Sequence, residues 1–166
     1  VPTTIFMSFS NSLIHWYLQN KRDLPWRNTT DPYTIWLSEI ILQQTRVAQG
    51  MPYFESFLSS FPTVFDLANA SEEQVLKLWQ GLGYYSRARN LHATAKFVVD
   101  HLNGEFPNSY TELIKLKGIG EYTAAAIASF SANEDVAVLD GNVYRVLARY
   151  FIVENDISIS STKKVF

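Results

Sequence analysis

Leu116–Ile127, LKGIGEYTAAAI, is the stretch that decides the fold. Gly118 and Gly120 flank a single apolar residue, Ile119, just ahead of a run of alanines. Glycine enters left-handed backbone without a side-chain penalty, so the segment turns tightly. Alanine is the best helix former, so a helix is expected from Glu121 to Phe130. Upstream, Ser109 and Glu112 have the spacing of a capping box and lead into Leu113–Leu116. Two short helices joined by G-x-G make a helical hairpin. The second helix begins with free amides and a positive dipole end, which suits a phosphate without any lysine. Lys117 adds a positive charge to this turn. The same residues also read as an ordinary helix–turn–helix corner with glycine caps.

Helical periodicity extends outward in both directions. Phe9, Leu13, Trp16 and Tyr17 recur at spacings of three and four. Asp31-Pro32 opens a helix that is expected to reach Val47, because Asp caps and Pro suits the first turn. Pro52 is expected to start another, with Tyr53, Phe54, Phe57, Leu58 and Phe61 as its apolar stripe and Pro62 as its stop. Ser71 with Gln74 forms a second capping-box pattern, leading to Gln80 and halted at Gly81 and Gly83. A long helix is expected over Ser86–Leu102, ended by Asn103-Gly104, and Asp140 caps a last one to Phe151. No strand ladder is evident, and Val136–Leu139 lacks a partner. The fold class is therefore all-α. Met7 reads as a native start after Val1–Phe6, and a further helical pattern begins at Ser160 or Ser161, so the chain is expected to be truncated at its end.

Composition narrows the chemistry. The 166 residues are 47% hydrophobic and 18% charged, as in a chain with a real core. There is no cysteine, which excludes disulfides, a thiol nucleophile and Cys-ligated metal among these residues. No apolar run reaches a membrane span. The net charge of −2 supplies no general attraction for nucleic acid, so a DNA partner would need local basic groups and backbone donors.

Three positions can carry chemistry. Glu39 is the one ionisable residue of Thr34–Thr45 (TIWLSEIILQQT), and its neighbours one helical turn away are mostly apolar. Lost hydration raises a carboxyl pKa and lets it serve as a general acid near neutrality. It also reads as a surface acid, or as a partner of Arg46 or Arg27. Asp140 in VLDGNVYRVL reads as a helix cap and also as a fixed carboxylate able to face a developing cation; the two roles are compatible. Lys77, Arg87, Arg89 and Lys96, interleaved with Trp79, Tyr84 and Tyr85, suit phosphate contact with base stacking, or a solvated helix face over core aromatics. His15, His92 and His101 have no ligand spacing and read as structural or surface residues.

Five ordered stretches are together similar to the helix-hairpin-helix DNA glycosylase superfamily, and more narrowly to the MutY-type adenine glycosylases. They are RDLPWR (Arg22–Arg27), PYTIWLSEIILQQTRV (Pro32–Val47), GLGYYSRARNLH (Gly81–His92), LKGIGEYTAAAI and LDGNVYRVLAR (Leu139–Arg149). The resemblance implies a six-helix barrel core at residues 21–139, with the helix-hairpin-helix at 109–130. Residues 1–20 would pack on a second helical subdomain that is largely missing and bears a cluster; residues 140–166 would begin that subdomain and be truncated. It further implies a monofunctional hydrolase that removes adenine mispaired with 8-oxoguanine or guanine in double-stranded DNA. The rivals are a bifunctional endonuclease III-like lyase and a non-catalytic DNA-binding module.

By position, the resemblance assigns Glu39 as the acid that protonates adenine on its five-membered ring and Asp140 as the carboxylate that stabilises the sugar cation. Tyr122 and Asn142 would support that site, and Tyr122 stands where lyases place a Schiff-base lysine. Trp26 and Arg27 would border the adenine; Gln43, Gln44 and Thr45 would wedge into the duplex; Tyr84 would lie beside 8-oxoguanine, and Leu82 would also bind substrate. Gly118, Gly120, Lys117 and Arg87 would hold phosphates, with a monovalent cation at the hairpin. A [4Fe–4S] cluster is expected from cysteines beyond residue 166, and no metal from this chain. A monomer is expected, cytoplasmic in a bacterium, and nuclear or mitochondrial in a eukaryote.

Overall fold

The computed structural model describes residues 8–154 and 156, and these form an all-helical fold with no strand among them. The expected start at Met7 and the helical pattern from Ser160 lie outside the described residues. In chain order the helices are α1 (Phe9–Asn20), α2 (Pro32–Ile41), α3 (Val47–Ser60), α4 (Val64–Asn69), α5 (Glu72–Trp79), α6 (Tyr85–Leu102), α7 (Tyr110–Leu113), α8 (Glu121–Ala132) and α9 (Gly141–Phe151). A short 3₁₀ turn, Pro25–Arg27, precedes α2.

α2 is the centre of the molecule. Asp31 caps it by accepting from the Thr34 amide at 2.8 Å, and every residue from Ile35 to Ile41 is buried. Such a helix, apolar on all sides, must be enclosed by others. α8 covers one side with Ala124, Ala125, Ala126, Ile127 and Ala128, whose small side chains let two helices approach closely, and α3 and α6 close the others. Trp26, Trp36, Trp79, Phe54 and Phe57 fill the core, with Phe57 edge-on to Trp79 at 5.7 Å. α6 carries α4 and α5 on its flank. α1 buries none of its residues; Phe9 meets Tyr150 of α9 at 4.3 Å between ring centroids.

Three sequence expectations need correction. The helix from Pro32 stops at Ile41, and the next begins at Val47, so Pro52 lies inside α3 and not at its start. Pro52 forfeits one backbone bond near the helix beginning. In exchange, α3 seats Phe54 and Phe57 in the core and brings Gly50 against α2, where a β-carbon would stand 2.5 Å from Leu42 Cδ2. The short helix α4, closed by a Thr63–Asp66 capping box, was not apparent from periodicity because it spans under two turns. The box expected at Ser109 does not form. The Tyr110 amide instead donates to Glu134 Oε2 at 2.6 Å, and Glu112 pairs with Lys115. The Ser109 hydroxyl meets Thr111 Oγ1 at 3.3 Å, and the Glu112 amide that a box would use donates to the Ser109 carbonyl. The Ser71–Gln74 box and the Asn103 stop of α6, with left-handed backbone at φ 53°, are as the residues suggested.

Candidate active site

Glu39 sits in the middle of α2, where helix packing leaves it 8% exposed. Of the two arginines considered as partners, Arg27 is the one it meets: Nη2 donates to Glu39 Oε1 at 3.2 Å. Burial raises the Glu39 carboxyl above its ordinary pKa, and the Arg27 charge and hydrogen bond oppose that rise without cancelling it. A group so poised holds its proton further toward neutrality than an exposed glutamate.

Asp140 is fixed by the start of α9. Its Oδ1 accepts from the amides of Asn142 at 2.9 Å and Val143 at 2.8 Å, and its Oδ2 from Asn142 Nδ2 at 3.2 Å. Capping and site-building are thus one arrangement, and Asn142 serves the carboxylate from both its main chain and its side chain. Tyr122, in the first turn of α8, couples electrostatically to both acids. Burial, then Glu39 and then Asp140 push its phenol pKa up, and Arg27 opposes them.

These groups line one open cleft of about 780 Å³. The tertiary fold therefore brings together Glu39, Asp140, Tyr122, Asn142, Trp26, Arg27, Gln43, Gln44, Tyr84, Arg87 and Gly120 from the expected set. Thr45, Leu82, Lys117 and Gly118 are not among its lining residues. Thr45 Oγ1 donates to the Gln43 carbonyl at 3.2 Å, and Leu82 is buried. Gln43 is tied to α8 through Thr123, at 3.5 Å. Gln44 and Tyr84 both hold left-handed backbone, at φ 55° and 48°. Non-glycine residues adopt that conformation only where the surroundings impose it.

At the hairpin, Gly118 has φ 76° and a β-carbon there would lie 2.9 Å from Asn90 Cβ. Gly120 opens α8 with empty space beside it. The Lys117 carbonyl accepts from Thr94 Oγ1 at 2.6 Å, and the Leu116 carbonyl from the Ile119 amide at 3.1 Å. The Thr94 bond anchors the turn on α6.

Arg87 has a role the sequence did not disclose. Its Nη1 donates to the carbonyls of Gln43 and Ile40, and its guanidinium lies over Tyr84 and Trp79 at 5.5 and 5.4 Å. It holds the turn after α2 in place, so it does not stand on the surface as a free cation. The basic–aromatic cluster divides accordingly: Trp79 is core, Arg89 pairs with Glu72 at 3.0 Å, and Tyr84 remains exposed. His92 Nε2 donates to the Ala70 carbonyl at 3.0 Å, a structural role. Arg22, Glu121 and Thr123 line the cleft but were missed. Glu121 and Thr123 flank Tyr122, and that adjacency is their signal in the sequence.

No group of three potential metal ligands occurs among the described residues. Without cysteine, these 166 residues supply no thiolate for an iron–sulfur cluster. No described helix is long and apolar enough to cross a membrane.

A family model described as HhH-GPD superfamily base excision DNA repair protein matches residues 37–166. The chain is 47% identical over 146 residues to an adenine DNA glycosylase of Buchnera aphidicola, covering 87% of this chain and 42% of that protein. It is 45% identical over 160 residues to the human adenine DNA glycosylase, covering 91% and 29%. The chain thus spans about two-fifths or less of these relatives. Among solved structures it is similar to a thermostable thymine-DNA glycosylase, with TM-score 0.84 and 25% identity over 95% of this chain and 74% of that one. An endonuclease III in a non-covalent DNA complex shares the fold, with TM-score 0.75 and 21% identity over 93% and 73%.

Proposed function

The chain belongs to the HhH-GPD superfamily of base excision DNA repair proteins, and from that premise we propose that it hydrolyses the N-glycosidic bond of adenine opposite 8-oxoguanine or guanine in duplex DNA, without cleaving the strand. The observation that carries this reading is the convergence of Glu39 and Asp140, from α2 and the start of α9, on one cleft. Relatives bearing the name adenine DNA glycosylase support the choice of base.

The chemistry follows from the two carboxyl groups. Adenine is a poor leaving group, so a proton delivered to its five-membered ring weakens the bond to the sugar. Glu39, kept protonated toward neutrality by burial, delivers it. As the bond lengthens the sugar gains positive charge, and Asp140, held by three donors, faces that charge. Water then attacks the sugar carbon, leaving an abasic site. This is the division of labour of glycoside hydrolysis.

The cleft volume of about 780 Å³ suits a nucleoside turned out of the stack, an eversion that costs a few kcal/mol. The amides of Gly118 and Gly120 would grip a phosphate, and Gln43 with Gln44 would fill the vacated space. Tyr122 stands at the position where a lyase needs an amine, and no lysine is among the described residues lining the cleft. A phenol forms no imine, so the abasic strand stays intact.

The test is a single-turnover reaction on a duplex carrying A opposite 8-oxoguanine, worked up with and without alkali. Breaks that appear only with alkali support the proposal. Equal breaks without alkali identify a lyase. Binding with no adenine release identifies a DNA-binding module.

A further inference from the structure

We propose that Phe130, on the last turns of α8, is a positioning residue whose ring face holds the Arg27 guanidinium in register with Glu39. The Arg27 Cζ lies 3.9 Å above the centroid of the Phe130 ring. Arg27 reaches Glu39 through Nη2 alone, at 3.2 Å. Its other terminal nitrogen, Nη1, is buried without a hydrogen-bond acceptor among the described residues. A guanidinium attached by one hydrogen bond to one oxygen is free to swing about that bond. A π face at van der Waals distance removes the freedom, because the ring quadrupole attracts the planar cation and fixes its tilt. Phe130 itself is 42% exposed, so the core does not account for it; its contact with Arg27 does.

Phe130 thus lies one residue removed from the acid and does not itself line the cleft. Arg27 before α2 is the charge that bears on Glu39, and Glu39 in turn acts on Tyr122 of α8; Glu121, Asp140, Arg22 and Arg87 line the rest of the cleft. Arg27 is the partner that favours the charged form of Glu39. If the guanidinium drifts, that opposition weakens, and Glu39 holds its proton to a higher pH.

The position of Arg27 is independent of the glycosylase reading, and only its effect on base release rests on it. The direct measurement is therefore a carbon-13 NMR titration of the Glu39 carboxyl in the unaltered protein and in Phe130→Leu, Phe130→Tyr and Phe130→Ala. Leucine keeps the apolar bulk without the π face, and tyrosine keeps both. We expect the Glu39 midpoint to move to higher pH in Phe130→Leu and Phe130→Ala and to stay put in Phe130→Tyr. Should Phe130→Ala fail to fold, Phe130→Leu decides alone. An unmoved midpoint in Phe130→Leu, or the same movement in Phe130→Tyr, overturns the proposal. The pH profile of adenine release should shift in parallel. If the midpoint moves while neither the unaltered protein nor any variant releases adenine, the glycosylase reading fails and the positioning role of Phe130 stands.

Discussion

Replacing Glu39 by glutamine tests the proposed acid with little change of shape. The glutamine amide has the volume of the carboxylic acid, and its oxygen can still accept from Arg27 Nη2, which now sits 3.2 Å from Oε1. What disappears is the transferable proton. A positioned general acid contributes about 10²- to 10⁴-fold to rate. At 1.36 kcal/mol per decade, that is roughly 3–5 kcal/mol of lost transition-state stabilisation. Glu39→Gln is therefore expected to slow single-turnover adenine release by about that factor while retaining affinity for the mispaired duplex.

Stability should respond in the opposite sense. The carboxyl pKa is raised in the folded chain, so the folded state binds its proton more tightly than the unfolded state does. Stability from this group is then lost as pH rises from the ordinary glutamate range through the raised value. Glu39→Gln escapes that loss, so its melting temperature relative to the unaltered protein should climb with pH across the same window. The reasoning is refuted if Glu39→Gln releases adenine within ten-fold of the unaltered rate. It is equally refuted if the two proteins keep a constant difference in melting temperature from pH 4 to 8, a window spanning the ordinary glutamate and neutral ranges, about four units.

Other expectations follow from neighbouring features. Adenine release by the unaltered protein should decline as pH rises through the elevated Glu39 value, and a rate that keeps climbing toward alkaline pH would show that another group supplies the proton. Asp140→Ala removes the cap of α9 and should cost about 1 kcal/mol in urea unfolding as well as abolishing release, whereas Asp140→Asn should keep most of the cap and still lose activity. Gly118→Ala forces a β-carbon against Asn90 at φ 76°; duplex binding should weaken more than the melting temperature falls, as gel-shift titration beside a thermal melt would reveal. Leu37→Ala, at a fully buried site of α2, should destabilise by about 2–5 kcal/mol by denaturant titration, and a loss under 1 kcal/mol would mean the core around α2 collapses onto the gap.

Much of this protein is readable locally. The caps at Asp31, Ser71 and Asp140 are contacts between residues two or three apart, so a short stretch of chain specifies them wherever it goes. The same holds for the glycine turn at Gly118 and for the enclosure of α2, whose all-round apolar surface has no alternative but burial. Local signals fail when a distant group competes. Glu134, 24 positions from Tyr110, takes the first amide of α7, and α3 starts five residues ahead of Pro52, where Gly50 lies against Leu42.

Glu39 marks the division most clearly. Its isolation in an apolar helix is a property of the sequence, while the upward direction of its pKa comes from packing, where burial outweighs the opposing Arg27 charge. That Arg27 and not Arg46 meets it depends on how the 3₁₀ turn folds onto α2. That Phe130 supports Arg27, and that Arg87 closes the α2 turn, depends on where α8 and α6 cross it. Charge, helicity and turn chemistry act over a few bonds and are written in order along the chain. The meeting of Glu39 and Asp140 is an outcome of packing, in which each helix takes its place only after the others have buried their apolar faces.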